Sequence, residues 1–180
     1  MEVKEFRFLS KNDIYNKKWI CWSRIYEYEW ILSKLQWENN TIHNTVCWFA
    51  WLHINFWYEL EKYWKVTNSD YHKWDSNRIQ NFIKYDIRNP KRKKFDYVLN
   101  ISTLEHLKPH NTIKAFSNLL NQTNKTLLLT FDYPRVDLKW LEEELWVKCK
   151  DVDERLNGIN WVVVDDRYHW LNIVVLEISI

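Results

Sequence analysis

Residues Thr45 to Tyr71 read TVCWFAWLHINFWYELEKYWKVTNSDY. The order is a buried strand over Thr45 to Cys47, a tight connection over Trp48 to Leu52, an amphipathic helix ending near Tyr63, and a second strand, Lys65 to Ser69, that stops on Asp70. A βαβ unit with an acid at the tip of its second strand is the arrangement that holds a nucleotide-like ligand. The connection is unusual, because Trp48 and Trp51 stand where a glycine-rich turn is expected.

On the N-terminal side, SRIYEYEWILSKLQ repeats apolar residues at helical spacing (Ile25, Tyr28, Ile31, Leu32, Leu35), so residues 1–40 read as a polar lead followed by a helix beside the first strand. Aromatics spaced this way are usually core, although Arg24, Tyr26 and Tyr28 could reach a ligand. On the C-terminal side, residues 73–81 read as a short polar helix and Asn81 to Ile87 as a third strand with Asp86 near its end. Phe95 to Ile101 (FDYVLNI) is almost continuously apolar, the mark of a strand covered on both faces in a parallel sheet.

A helix over about Thr112 to Leu120, a strand over Lys125 to Phe131 and a helix around Leu138 to Leu145 continue the alternation. Asn160 to Asp165 and Leu171 to Ile178 are joined by only DRYHW, too short for a crossover helix, which predicts an antiparallel hairpin. The expected fold is therefore α/β, a doubly wound, mostly parallel seven-stranded sheet with a C-terminal antiparallel β-hairpin. Residues 41–180 form its single domain and residues 1–40 its lead and helix.

Composition limits the alternatives. The chain of 180 residues is 46% hydrophobic and 28% charged, a globular balance, and its net charge of +2 does not call for a polyanionic partner. The basic run Lys91 to Lys94 could touch phosphate or be a solvated loop. Three scattered cysteines, Cys21, Cys47 and Cys149, and ungrouped histidines (His43, His53, His72, His110, His169) argue against a disulfide framework or a metal site. No apolar run approaches the ~20 residues of a spanning helix, and the charged N-terminus does not read as a signal peptide. A cytoplasmic setting with no membrane partner is the expectation.

One compositional feature fits no class. Gly158 is the only glycine, where average usage of about 7% would give about 13, and there are 13 tryptophans. Trp37, Trp64 and Trp146 each follow a helical segment, the place where a left-handed residue ends a helix; Trp170 sits in the hairpin turn. Either the turns use other geometries, or UGA codons that specify glycine are written as tryptophan.

The ordered set of motifs resembles the class I S-adenosylmethionine-dependent methyltransferases, in their small-molecule or sugar-type branch, over about residues 20–180. TVCWFAW is similar to the family's cofactor loop, with Trp48 and Trp51 at glycine positions and Ala50 between them, and KVTNSDY, FIKYDI and FDYVLNISTLEHL are similar to its next three strand ends. The chain departs from the family at Val46, where an acid is usual, and at Gln122 to Lys125, which lacks the usual Pro-Gly turn.

The resemblance implies S-adenosylmethionine as cofactor. Asp70 and Tyr71 would lie at the ribose, Asp86 and Ile87 beside the adenine, and Asn100 and Ser102 along the cofactor. It implies methyl transfer to a small-molecule or sugar-linked acceptor, with His106 as candidate base, Glu105 as its orienting partner, and Tyr26, Asp132 and Tyr133 towards the substrate. A Glu-His pair after a strand can equally do no more than cap the next helix. The short chain leaves little lid, which suits a small acceptor or a homo-oligomer in which a partner subunit completes the site. Two other functions stand beside this one: a methyltransferase-like binding or scaffold protein whose cofactor loop is blocked by Trp48 and Trp51, and a nucleic-acid binder. The tryptophans follow turn positions and not one strand face, which argues against the last.

Overall fold

The structure is a computed structural model and describes residues 1–9, 24–36, 39–45, 50–63, 65–72, 79–150 and 172–180. In chain order the elements are β1 (Glu2–Phe8), α1 (Arg24–Lys34), β2 (Thr41–Thr45), α2 (Ala50–Tyr63), β3 (Lys65–Asp70), β4 (Phe82–Lys84), β5 (Phe95–Ile101), α3 (Pro109–Asn121), β6 (Thr123–Tyr133), α4 (Leu138–Leu145) and β7 (Asn172–Ser179). They build one seven-stranded sheet in the order β1-β7-β6-β5-β2-β3-β4. The β2–β6 strands pair in parallel, while β7 runs antiparallel to both β6 and β1. The expected doubly wound α/β sheet with a reversed C-terminal strand is what forms.

The apolar period of β5 explains why helices cover both faces. Tyr97, Leu99 and Ile101 join one cluster with Ile31 of α1, Leu35 just after it, and Phe56, Trp57 and Leu60 of α2. Val98 joins the opposite cluster, with Phe116 and Leu119 of α3 and Leu138, Leu141 and Leu145 of α4. Neighbouring residues of a strand point to opposite faces, so a run without polar interruption needs two covers. The stacked rings of Tyr28 and Phe56, with centroids 3.9 Å apart, tie α1 to α2.

Several boundaries differ from expectation. The first parallel strand is Thr41–Thr45, not Thr45 to Cys47, and α2 begins at Ala50 inside the expected connection. Polar side chains hid β2: buried His43, Asn44 and Thr45 are paired with other buried polar groups and so need no apolar pattern. β4 covers only Phe82–Lys84, which leaves Asp86 in the turn after it.

The lead is not merely polar. β1 alternates out and in, burying Phe6 and Phe8, and occupies the sheet edge beside β7. Lys34 of α1 reaches Glu5 of β1 and, at 3.0 Å, Glu177 of β7, which fastens the helix to this edge. The expected hairpin strand Asn160 to Asp165, the polar helix of 73–78, and Trp37, Trp48, Trp64 and Trp170 lie outside the described residues. β7 itself has β6 on one side and β1 on the other.

Trp146 lies within the described residues. It ends α4 with φ 56° and ψ 29°, a left-handed conformation, and its side chain is 94% exposed. The main-chain N–H of the next residue, Val147, returns to Glu142 O at 3.3 Å. No described helix is long and apolar enough to cross a membrane.

Candidate functional site

Parallel strands with helices wound in opposite senses leave a crevice at their carboxyl ends, where the strand order reverses. Here the reversal lies between β2, whose chain continues to β3, and β5, whose chain continues to β6. A cavity of about 440 Å³ opens at this end, lined by Asp70, Tyr71, Asp86, Arg88, Ser102 and His106 among others.

Asp70 closes β3 and is 2% exposed. Its Oδ1 accepts the main-chain N–H of His72 at 2.9 Å, whereas its Oδ2 is buried and has no donor among the described residues. Burial raises the Asp70 pKa, and the His72 N–H only partly offsets this. A buried carboxylate oxygen without a donor is costly, and a ligand hydroxyl would relieve it. Asn100, near the end of β5, shares this condition: its Nδ2 donates to Thr45 Oγ1 at 2.8 Å, and its Oδ1 is buried without a partner among the described residues.

Asp86 is held differently. Arg88 donates to it through its main-chain N–H (Oδ1, 2.9 Å), through Nε (Oδ1, 2.8 Å; Oδ2, 3.0 Å) and through Nη2 (Oδ2, 2.6 Å). These bonds hold the Asp86 carboxyl below its ordinary pKa. The same guanidinium lies 5.4 Å from the ring centroid of Tyr71, which is half exposed at the cavity mouth.

Ser102 follows β5 in a left-handed conformation, φ 44°. Its N–H donates to Thr130 O at 2.9 Å, and its Oγ donates to Glu27 Oε1 at 2.6 Å. The Thr130 hydroxyl donates to the same Glu27 oxygen. Glu27, wholly buried on α1, thus joins the carboxyl ends of β5 and β6 and fixes a strained residue at the cavity wall. Sequence reasoning missed it. The available signal was its place on the same helix face as Ile31 and Leu35, where an acid is unexpected.

The structure therefore gathers Asp70, Tyr71, Asp86, Ile87, Ser102 and His106 at one cavity. His106 is exposed and ends a 3-10 turn, Leu104–His106, in which Glu105 is buried. Tyr26 belongs to the apolar cluster under α1. Tyr133 lines a separate cavity of about 500 Å³ with Pro109 and Trp140, and its ring packs edge-on against Phe8, while Asp132 precedes it on β6. Ala50 and Trp51 open α2, and Trp48 is outside the described residues.

His43, in the middle of β2, is structural. Its Nδ1 donates to Gln122 Oε1 at 3.1 Å, so its Nε2 accepts from the Ser69 hydroxyl at 2.9 Å. Burial first, then the charge of Lys91, depresses its pKa to about 3.

Scans against protein families find no matching model, and no curated protein matches the chain. Solved structures do resemble it. Magnesium protoporphyrin IX methyltransferase from Synechocystis PCC 6803 with bound SAM is 16% identical, with a TM-score of 0.54 over 83% of this chain and 75% of that one. The PH0226 protein of Pyrococcus horikoshii OT3 is 18% identical, with a TM-score of 0.52 over 91% and 92%. The N-methyltransferase NodS from Bradyrhizobium japonicum WM9, in complex with S-adenosyl-L-homocysteine, is 11% identical, with a TM-score of 0.50 over 78% of each chain. At these identities the likeness is one of fold: the chain has the Rossmann-like architecture found in class I methyltransferases.

Proposed function

We propose that this chain is an S-adenosylmethionine-dependent methyltransferase that acts on a small-molecule or sugar-linked acceptor. The observation that carries the reading is Asp70, a buried acid at the tip of β3 whose Oδ2 has no hydrogen-bond partner among the described residues. Ribose hydroxyls are donors of the right kind. Asn100 Oδ1, near the end of β5, is a second buried acceptor with no hydrogen-bond partner among the described residues. The cofactor supplies a methyl group already activated on sulfonium, so the protein's task is to orient an attacking atom in line and to exclude water.

Asp70 would hold the ribose, the Asp86–Ile87 turn would border the adenine, and Ser102, fixed by Glu27, would form the wall. His106 at the rim is the candidate to accept a proton from a hydroxyl acceptor at a ring nitrogen, with Glu105 preceding it in the same turn. Tyr26, Asp132 and Tyr133 are kept as acceptor-side candidates.

Calorimetric titration with S-adenosylmethionine tests the reading. Binding is expected, and Asp70→Ala should weaken it at least about tenfold, the effect of losing charge-assisted hydrogen bonds. The competing reading, a scaffold blocked by Trp48 and Trp51, predicts that the chain as written does not bind, whereas Trp48→Gly/Trp51→Gly does. No binding by either form would remove the enzyme reading.

A further inference from the structure

The basic run Lys91 to Lys94 leads into β5 at its amino end, away from the crevice. At that end of the sheet a cavity of about 770 Å³ is lined by the first residues of four parallel strands, Thr41, Lys65, Phe82 and Phe95. Two lysines of the run, Lys91 and Lys93, join Lys65 in its wall. Glu61 of α2 is the acid there, and it is engaged by Asn68, whose Nδ2 donates to Oε1 at 3.0 Å.

The three ammonium groups are not matched by acids: among the described residues none of them pairs with a carboxylate. Lys91 is the extreme case. Its Nζ lies 4.8 Å from the ring centroid of Tyr85 and 5.6 Å from that of Phe95, is shielded from water, and has no hydrogen-bond partner among the described residues. Aromatic rings attract the charge of an ammonium but leave its three N–H donors unanswered. Burial first, then the charge of Lys93, lowers the Lys91 pKa. A buried donor without an acceptor and two neighbouring like charges are both unfavourable, and an anion relieves both. A lysine stem is flexible, so the ammonium can swing to a group in the cavity while its methylenes stay on the rings.

We propose that this cavity binds a small phosphate ester, its phosphate held by Lys65, Lys91 and Lys93 and its organic part laid against the apolar wall of Val66, Phe82 and Ile83. Inorganic phosphate would leave that wall uncovered. A nucleic-acid strand fits less well, because Arg92 and Lys94 of the same run stand outside the cavity wall and do not extend the charge into a track for a phosphate backbone. The site lies at the amino ends of the strands, so the inference stands independently of the methyltransferase reading.

The test is calorimetry on the full chain at fixed ionic strength with two probes, phenyl phosphate and inorganic phosphate. Phenyl phosphate should bind with a Kd of about 1 mM or tighter, and inorganic phosphate at least about threefold more weakly. Lys91→Met, which keeps an apolar stem over the rings, should weaken phenyl phosphate at least about tenfold, the scale of a charge-assisted hydrogen bond. Lys93→Met, at an exposed position where folding is not at stake, should weaken it about three- to tenfold. Lys94→Met, one position on and outside the wall, should change it by less than about twofold. Absence of saturable phenyl phosphate binding overturns the inference. So do equal losses for Lys93→Met and Lys94→Met, which would assign binding to the diffuse charge of the run. Equal affinity for the two probes overturns the ester and leaves free phosphate as the ligand. A single-stranded oligonucleotide that binds more tightly than phenyl phosphate, and loses as much through Lys94→Met as through Lys93→Met, replaces the small ester with nucleic acid.

Discussion

Trp146→Gly should stabilise the protein. Trp146 holds φ 56° with 94% of its side chain in water, so the substitution removes a Cβ clash without emptying any packed volume. The left-handed conformation costs an L-residue roughly 1–2 kcal/mol. Against that gain stands the extra freedom of glycine in the unfolded chain, roughly 0.5–1 kcal/mol. The balance is a gain of about 0–1.5 kcal/mol centred on ~0.7, which at its centre raises Tm by about 1–3 °C for a chain of this size. Thermal unfolding followed by circular dichroism reads this directly. Trp146→Ala serves as the control, because it discards the indole but keeps the Cβ, and it should give no gain; Trp146→Asn should fall between, since asparagine tolerates this region. Equal shifts for alanine and glycine would refute the argument and assign the effect to the exposed indole. The same exchange at Trp57, which is 3% exposed, should destabilise by about 3–5 kcal/mol.

Other outcomes follow from the same structure. His43 is neutral in the fold, with a pKa lowered from 6.5 to about 3, so the unfolded chain binds its proton first. Stability is complete above about pH 6.5 and falls as pH drops towards 3, by about 2 kcal/mol at pH 5, a loss that urea melts should show and that His43→Gln should flatten. Asp70→Asn should stabilise the ligand-free protein by about 1 kcal/mol, because it removes a buried, under-satisfied charge, while it weakens S-adenosylmethionine binding at least about tenfold; a simultaneous loss of stability would count against the open-acid reading. Glu27→Gln should cost about 1–3 kcal/mol in chemical denaturation, and a double-mutant cycle with Thr130→Val should show coupling, because both hydroxyl donors converge on one oxygen. The nucleotide sequence at position 146 should carry UGA if tryptophan there stands for glycine; UGG would end that explanation.

The fold was legible wherever burial is apolar and periodic. β5 could be bounded to the residue because Phe95 to Ile101 has two covers, and α4 because Leu138, Leu141 and Leu145 recur at helical spacing. β2 was shifted by four residues because its interior positions are His43, Asn44 and Thr45, whose burial depends on partners far along the chain: Gln122 lies 79 residues from His43. No local pattern announces such a pairing. Glu27 was missed for the same reason, since its donor Ser102 is 75 residues away. β1 was passed over because the charged residues at its outward positions, Glu5 and Arg7, made the segment read as a polar lead, and they are tolerated through their contact with each other and that of Glu5 with Lys34.

The site divides along the same line, with one exception that sharpens it. Asp70 and Asp86 look alike in sequence, each an acid at or just past a strand tip, and the family resemblance assigns both to the cofactor. What separates them is local: Tyr71 and His72 follow Asp70 and offer its carboxylate a main-chain N–H, at His72, whereas Asp86 is followed two residues later by an arginine that folds back onto it. An Asp-x-Arg step in a turn lets the guanidinium and the main-chain N–H reach the same carboxylate, a contact that needs no distant strand to form. The pairing of Asp86 was thus written in Arg88 itself, whereas at the equivalent place after Asp70 stands His72, which reaches one carboxylate oxygen through its main-chain N–H and leaves the other without a hydrogen-bond partner among the described residues. A strand-tip acid is a candidate ligand group only after its own next two residues have been asked whether they already occupy it.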